Sequence, residues 1–316
     1  MSIKTFLKNW TLLIAMAAGI AGYFLYVSLP FLDRTHELAN HTVSVVQPLL
    51  IFCMLFITFC KVDPHSLRLY RWHLWLLLVQ FGLFALLSLW LMLMPGLPGR
   101  VVVESAMLCF ICPTATAAAV VTAKLGGDAA GIATYTVLIN LGAAVLVPLF
   151  IPLVHPNPEL DFFTSFFLIV GKVFPTLICP FFLAMLVRWL LPGVHRAVMG
   201  CKDLAFYIWA VSLSIAIAVT TRSMVHSDVA WPYQAGIAAV SLLACALQFY
   251  WGRRLGRRYG CPICASQSLG QKNTVFAIWM GYTFLTPVSA LAGGFYSIWH
   301  NVYNSWQLYQ KQKKEE

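Results

Sequence analysis

Long apolar runs alternate with short polar segments along almost the whole chain. A bilayer core of about 30 Å takes roughly 20 helical residues to cross, and ten runs approach or exceed that length. They lie near residues 9–29, 42–60, 73–94, 101–123, 128–153, 161–190, 203–220, 229–252, 265–285 and 287–308. This pattern predicts an all-α polytopic membrane protein with ten transmembrane helices. The sixth run is expected to tilt or bend at Pro175 and Pro180.

The first run resembles a signal peptide only superficially. It follows Lys4 and Lys8, but it is too long and ends in VSLPFLD, which offers no small-residue cleavage site. We therefore interpret it as a retained span.

Two of the runs are interrupted by helix-breaking residues. The fourth contains CPTATAAAVVTAKLGGD, from Cys112 to Asp128, and the ninth contains SLGQKNTVFA, from Ser268 to Ala277. In lipid, unwound backbone persists only where it lines an enclosed or wet cavity, because each unpaired amide or carbonyl costs several kcal/mol. The interruptions are five spans apart, so two five-helix halves of one fold would enter the membrane in opposite senses. The sequence predicts two inverted five-helix repeats whose broken fourth and ninth helices cross at a binding site; two unrelated kinks are the alternative.

Composition and charge narrow the class of protein. With 60% hydrophobic residues, 10% charged residues and a mean hydropathy of +0.78, the chain lacks the polar surface of a water-soluble domain. The net charge of +10 does not indicate nucleic-acid binding, because the basic residues lie in short loops between apolar runs. Of the 21 Lys and Arg residues, 16 fall in cytoplasmic segments and three outside if the N-terminus is inside. The positive-inside rule then predicts a multi-pass protein of the cytoplasmic (inner) membrane with both termini cytoplasmic.

Three ionisable residues lie within or at the ends of spans. Lys172 and Lys272 fall inside the sixth and ninth spans, and Glu104 lies near the outer end of the fourth. Glu104 is expected only to cap its helix. Lys172 could line an interface between helices, and its role is left open.

The remaining chemistry-bearing residues indicate no enzyme. Nine cysteines, most of them in apolar spans, are interpreted as small buried hydrophobes and not as a disulfide framework. The two Cys-x-x-Cys pairs, Cys109 with Cys112 and Cys261 with Cys264, lack an accompanying His pair. The spans contain no ATP-binding loop or catalytic cluster, so we expect neither a metal nor another cofactor. Transport would then be gradient-driven or facilitated.

The interrupted spans resemble those of the bile acid:sodium symporter family. The fourth-helix pattern of the family reads CPGGTASNVVTYLAKGD, and the ninth-helix pattern reads Glu-x-Gly-x-Gln-Asn. This chain follows them at Cys112, Pro113, Thr116, Val120, Val121, Thr122, Gly127, Asp128, Gly270 and Asn273. Residues 49–68 resemble the exit of the second helix, and Gln80-Phe81 matches a Gln-Phe pair of the third without the usual Pro.

The resemblance implies two structural parts and a class of substrate. A panel part would comprise about 1–60 and 161–220, a core part about 73–153 and 229–308, and a cytoplasmic tail 309–316. Members of the family import organic anions such as bile acids, pantoate-like acids and other carboxylates, usually with two sodium ions. By position, the substrate contacts are Thr116 and Asn273, and we add Thr114 and Gln271 as candidate further contacts at the crossover. The lipid bilayer is the other expected partner, and the sequence carries no signal for an oligomeric state.

Departures from the family fall at its ion sites. The family's Ser-Asn pair is Ala118-Ala119 here, a fifth-helix Ser is Ile132, and the ninth-helix Glu is Ser268. Thr136, one turn after Ile132, keeps a hydroxyl. Because Na⁺ is a hard cation that takes about five or six oxygen ligands, these losses count against a bound sodium ion.

The family's ninth-helix Gln is Lys272 in this chain. An ionisable residue at membrane depth is costly and indicates function by default. Its ammonium group could replace one sodium ion and bond Gln80, Ser268 or an exposed carbonyl. Burial disfavours the charged amine whereas a carboxylate favours it, so proton uptake could accompany substrate binding.

The leading hypothesis is a sodium-independent transporter of a small organic anion, either proton-coupled or uncoupled. The alternatives are a sodium-coupled organic anion symporter and a non-transporting membrane sensor with the same fold. For Lys272 itself, the alternative is a side chain that snorkels to the cytoplasmic edge or merely neutralises the core.

Overall fold

The computed structural model describes residues 3–201 and 204–315 of the chain. The described residues form fourteen α-helices and three short 3-10 helices, with no β-strand. The α-helices are α1 Ile3–Ser28, α2 His36–Cys60, α3 Arg71–Leu93, α4 Arg100–Ile111, α5 Ala118–Leu125, α6 Ala129–Val154, α7 Phe162–Leu177, α8 Cys179–Leu190, α9 Pro192–Gly200, α10 Leu204–Val225, α11 Trp231–Arg257, α12 Pro262–Gly270, α13 Thr274–Phe284 and α14 Leu291–Glu315. Residues 1, 2, 202, 203 and 316 lie outside this description, and with them Lys202, which is among the 16 basic residues counted above on the cytoplasmic side.

The predicted all-helical membrane protein is confirmed. Within the described residues, six helical segments are long and apolar enough to cross a membrane, judged by length and composition: α2, α3, α6, α10, α11 and the joined pair Phe162–Leu190. Leu13–Ser28 and Thr274–Phe284 are shorter apolar helices. Most helix ends lie within a few residues of the predicted spans. The main differences are earlier starts of α1 at Ile3 and α2 at His36, and later ends of α10 at Val225, α11 at Arg257 and α14 at Glu315.

Aspartate side chains cap α6 and α7. Asp128 accepts hydrogen bonds from the backbone N–H groups of Ala130 (2.9 Å) and Gly131 (3.2 Å) at the start of α6. Asp161 accepts bonds from the hydroxyl and the backbone N–H of Thr164 at the start of α7. These bonds satisfy backbone donors that have no partner within a helix. The two bonds from Thr164 also hold the pKa of Asp161 below its ordinary value.

The predicted bend in the sixth span falls between its two prolines. Helix α7 ends at Leu177 and α8 begins at Cys179, so the break is at Ile178, between Pro175 and Pro180. Proline cannot donate a helical hydrogen bond and its ring crowds the preceding turn. Two prolines five residues apart therefore divide one apolar run into two helices.

Most helix contacts fall in two groups, which α7 connects by packing against both α2 and α6. In the first, α1 packs against α10, and α2 packs against α8 and α10. In the second, α11 packs against α4, α12 and α14, and α3 packs against α4 and α6. The short 3-10 helix Pro287–Ala290 and α13 also contact α10. The second group contains both interrupted spans.

Two cysteines depart from the expectation that this residue type only fills apolar space. Cys261 and Cys264 form a disulfide where α12 begins, with their Cα atoms 5.4 Å apart. Residues three apart lie on the same face of a helix, so the first turn of α12 brings the two sulfurs together. The other described cysteines are free, and Cys109, Cys112 and Cys245 are buried.

Candidate functional site

Both predicted interruptions are gaps between helices. Helix α4 ends at Ile111 and α5 begins at Ala118, while α12 ends at Gly270 and α13 begins at Thr274. A proline at position 113 disfavours helical backbone in the residue before it, and Cys112 is accordingly extended, with ψ of 129°. A side chain at Gly270 would overlap the ring of Phe249 on α11. Proline therefore ends one helix, and glycine lets the other pack closely at its end.

The two gaps are hydrogen-bonded to each other. They run antiparallel and form an isolated β-bridge between Thr114 and Lys272. Two backbone hydrogen bonds of 2.8 Å join them, from the N–H of Ala115 to the carbonyl of Gln271 and from the N–H of Asn273 to the carbonyl of Pro113. Each gap thus satisfies backbone groups that the other loses by unwinding, as apolar surroundings require.

Side chains of the gaps add to this crossover. The hydroxyl of Thr114 donates to the carbonyl oxygen of Ser268 at 2.6 Å, and the thiol of Cys112 donates to the carbonyl oxygen of Asn273 at 2.8 Å. The side-chain Oδ1 of Asn273 accepts from the backbone N–H of Phe276 (3.2 Å) and caps α13. Thr114, Ser268 and Asn273, which the sequence singled out, therefore meet at one place.

Gln80 reaches the crossover from α3. Its Nε2 donates to the carbonyl of Cys112 at 3.0 Å, and its Oε1 accepts from the hydroxyl of Tyr135 on α6 at 3.0 Å. Gln80, one of the alternative partners considered above for Lys272, therefore bonds other groups instead. Gln80 fixes the end of α4 against α3 and α6.

Lys272 lies at the centre of the crossover. Its side chain is 1% exposed, so the alternative that it snorkels to the cytoplasmic edge is wrong. No described residue forms a hydrogen bond with its Nζ atom. The Oε1 atom of Gln271 and the hydroxyl of Ser268 are also buried without a partner. Because buried polar groups are nearly always hydrogen-bonded, the amine of Lys272 in particular points to a missing ligand.

Thr116 and Thr136, which were also predicted as site residues, form no hydrogen bond among the described residues that joins the two gaps. Thr116 is partly buried in the gap between α4 and α5. Thr136 is buried in α6, and its hydroxyl donates to the carbonyl of Ile132 in the same helix at 2.9 Å. The structure therefore gives Thr136 no direct link to the crossover.

A support network contributed by α11 and α14 was not anticipated from the sequence. The hydroxyl of Tyr296 donates to the carbonyl of Gly270 at 2.8 Å. Gln248 donates through Nε2 to the Tyr296 hydroxyl (3.1 Å) and to the carbonyl of Cys109 (3.3 Å). These bonds engage the last turns of both broken helices and hold their ends in place.

The sequence of α14 contains a helical period of polar residues that could have indicated this network. Tyr296, His300 and Asn304 recur every four residues inside an apolar span and are all buried. Asn304 accepts a bond of 3.0 Å from Nε2 of Gln267 on α12, which also donates to Gln307 at 2.8 Å. A polar face of this kind predicts a partner helix with polar groups.

Glu104 does more than cap a helix. It is 1% exposed and lies 2.9 Å from Nε of Arg100 and 2.7 Å from Nε2 of His155. It also accepts from the hydroxyls of Ser289 (3.2 Å) and Thr286 (3.4 Å). The carboxylate therefore joins α4, the residue after α6 and the turn before α14, which corrects the sequence-based interpretation.

Comparison with known proteins is consistent with this geometry. A family model, that of the SBF-like CPA transporter family, matches residues 64–308. The match covers both gaps and every helix from α3 to α13. No curated protein matches the chain. Because the family model covers well over half of this multi-pass membrane protein, the resemblance noted in the sequence is confirmed: the chain belongs to the SBF-like CPA transporter family, a bile acid:sodium symporter-like family of membrane transporters.

Proposed function

We propose that this protein is a secondary transporter that carries a small organic anion without sodium, with Lys272 in place of a bound cation. The observation that carries the proposal is the buried Nζ atom of Lys272, which has no partner among the described residues. An uncompensated buried charge costs several kcal/mol. A substrate carboxylate would remove that cost, whereas a neutral or cationic substrate would not.

The substrate would bind beside the crossover. Gln271, whose amide oxygen has no partner, precedes Lys272 in the chain, and Thr116 is a partly exposed residue of the facing gap. Thr114 and Asn273 are engaged in crossover bonds in this conformation. We therefore assign the first contacts to Lys272, Gln271 and Thr116, and a share in binding to the other two when the helices move.

A sodium ion does not fit the residues present. Ala118, Ala119 and Ile132 offer no side-chain oxygen, and the Oε1 of Gln80 already accepts a hydrogen bond. The ammonium group of Lys272 would repel a second cation in the same space. Its charge comes without an ion gradient, so we assign sodium no step in transport.

The proposed architecture has ten membrane crossings in two inverted halves. The pairs α4 and α5, α7 and α8, and α12 and α13 would each make one crossing, as would α1, α2, α3, α6, α10, α11 and α14. The packing of α1, α2, α8 and α10 supports a panel part, and the second packing group supports a core part. Transport would follow from rocking of one part against the other around the crossover. The distribution of Lys and Arg supports cytoplasmic termini in an inner membrane.

The test begins with purified protein in detergent. A panel of carboxylates that includes a bile acid and pantoate is screened by thermal shift, because a ligand that binds only the folded state raises stability. The strongest binder is then used for uptake into proteoliposomes in sodium buffer and in choline buffer, across a pH series. The variants are Lys272→Gln and, as a matched control, Lys124→Gln, which changes an exposed lysine of α5.

We expect uptake by the native protein and the Lys124→Gln control in both buffers, and loss of uptake in Lys272→Gln. Strict sodium dependence of the native protein would refute the proposal. Sodium dependence that appears only in Lys272→Gln would support it strongly. Uptake driven by an inward proton gradient would identify proton coupling, whereas binding without uptake would identify a sensor.

A further inference from the structure

A groove of about 470 Å³ lies between α3 and α11, and none of the crossover residues lines it. Leu78 and Leu86 of α3 line it, and both are more than half exposed. Between them is Gly82, where an added Cβ atom would meet nothing within 4 Å. The groove therefore has an apolar wall with open space above a glycine.

One end of the groove is strongly basic. Arg254 and Arg258 line it together with Tyr250, whose hydroxyl accepts a bond of 3.0 Å from Arg254. Arg253 and Arg257 are exposed on the same helix end. In the part of the chain that the structure describes, none of these four arginines forms an ion pair, and the groove lining contains no acidic residue.

We propose that this groove binds an anionic glycerophospholipid, with the phosphate on Arg254 and Arg258 and one acyl chain along Leu78 and Leu86. Guanidinium groups bind phosphate oxygens through paired hydrogen bonds. A basic pocket between transmembrane helices is suited to an anionic lipid headgroup. Tyr250 lies where an amphipathic ring meets both the headgroup and the acyl region.

The basic end and the apolar wall belong to one groove, which favours a lipid over a soluble anion. A free phosphate would use the arginines and leave the apolar part of the groove empty. A second copy of the chain, packed with twofold symmetry, would bring two sets of the same four arginines together. The resulting repulsion makes a lipid the better occupant. This inference does not rest on the proposed transport activity.

The test measures lipid retention by native mass spectrometry. Protein purified in detergent is incubated with phosphatidylglycerol, phosphatidylcholine or inorganic phosphate. One variant, Gly82→Phe, fills the groove, and a second, Arg254→Gln with Arg258→Gln, removes the headgroup contacts. The matched control, Arg253→Gln with Arg257→Gln, removes the same charge from the same helix end but from residues that do not line the groove.

We expect the native protein to retain phosphatidylglycerol and not phosphatidylcholine or phosphate. Each lining arginine near the surface contributes about 1 kcal/mol, so retention should fall roughly tenfold to thirtyfold in the double variant and remain within about twofold in the control. Gly171→Phe, a change at an exposed glycine of α7 that also has open space, is the control for Gly82→Phe and should retain the lipid.

Three results would overturn the inference. Equal losses in the two arginine double variants would show diffuse attraction and no built site. Retention of phosphatidylcholine as strongly as phosphatidylglycerol would show that the arginines do not select the headgroup. Loss of a dimer in Gly82→Phe without loss of lipid would assign the groove to a second copy. The arginine variants change exposed side chains, so they test the site even if Gly82→Phe does not fold.

Discussion

Replacement of Lys272 by methionine should stabilise the protein and abolish anion binding. Methionine is unbranched and apolar, so it can follow the path of the lysine side chain without its charge. Lys272 is 1% exposed, and its Nζ atom has no partner in the described part of the chain. The substitution therefore removes a buried polar group without removing a hydrogen bond.

The size of the effect follows from the cost of an uncompensated buried charge. That cost is about 3–5 kcal/mol, and we take the lower end because a buried amine can release its proton and so avoid part of the cost. A gain of about 3 kcal/mol corresponds to a rise in Tm of roughly 6–12 °C. The assay follows tryptophan fluorescence during thermal unfolding in detergent, in choline buffer without carboxylate.

The control is Lys124→Met, the same chemical change at an exposed position. Exposed substitutions usually change stability by less than about 0.5 kcal/mol, so its Tm should stay close to that of the native protein. Addition of a binding carboxylate should raise the Tm of the native protein and the control but not that of Lys272→Met. A lower Tm for Lys272→Met would refute the reasoning, because it would show that the ammonium group has a partner.

Three further substitutions test other parts of the structure. Glu104→Gln removes the charge from a buried, four-partner cluster and should lower the stability by about 3 kcal/mol in the same melt; an unchanged Tm would contradict this. Tyr296→Phe leaves the carbonyl of Gly270 without its donor and should cost roughly 1–3 kcal/mol, with weaker carboxylate binding in thermal shift. The bonds from Thr164 lower the pKa of Asp161 from 3.8, so the cap contributes fully above that value and is lost as the pH falls through the lowered pKa. Asp161→Ala should remove this part of the dependence of Tm on pH below about pH 5, and an identical pH profile would contradict it.

The helices and their interruptions could be predicted because both depend on local sequence. Apolar runs of about 20 residues predict spans whatever lies beside them. Pro113 ends α4 by restricting the residue before it, and the pair Pro175 and Pro180 divides the sixth span. The sequence also indicated that Lys272 lies in a gap. Local chemistry was sufficient for these features.

The contacts between helices could not be predicted in the same way. Gln248 and Tyr296 are 48 residues apart, and their bond depends on how α11 and α14 pack. The same holds for Glu104 and Ser289, which are 185 residues apart. Nothing in the local sequence of Glu104 distinguishes a capping carboxylate from one that joins three elements. The disulfide between Cys261 and Cys264 was within reach of local reasoning, because it depends only on the first turn of α12.

Two buried ionisable residues, Glu104 and Lys272, have opposite surroundings, and the contrast supports the role proposed for Lys272. Glu104 has Arg100, His155 and two hydroxyls around it, so its charge is matched and its bonds hold helices together. If Lys272 had a comparable carboxylate partner within the chain, a substrate anion would have to displace that partner, and most of its binding energy would be lost. An ammonium group without an internal partner instead leaves the empty site high in free energy. Binding of an anion would lower that free energy, and it would shift the carrier between conformations only as far as the anion binds one of them more tightly than the other.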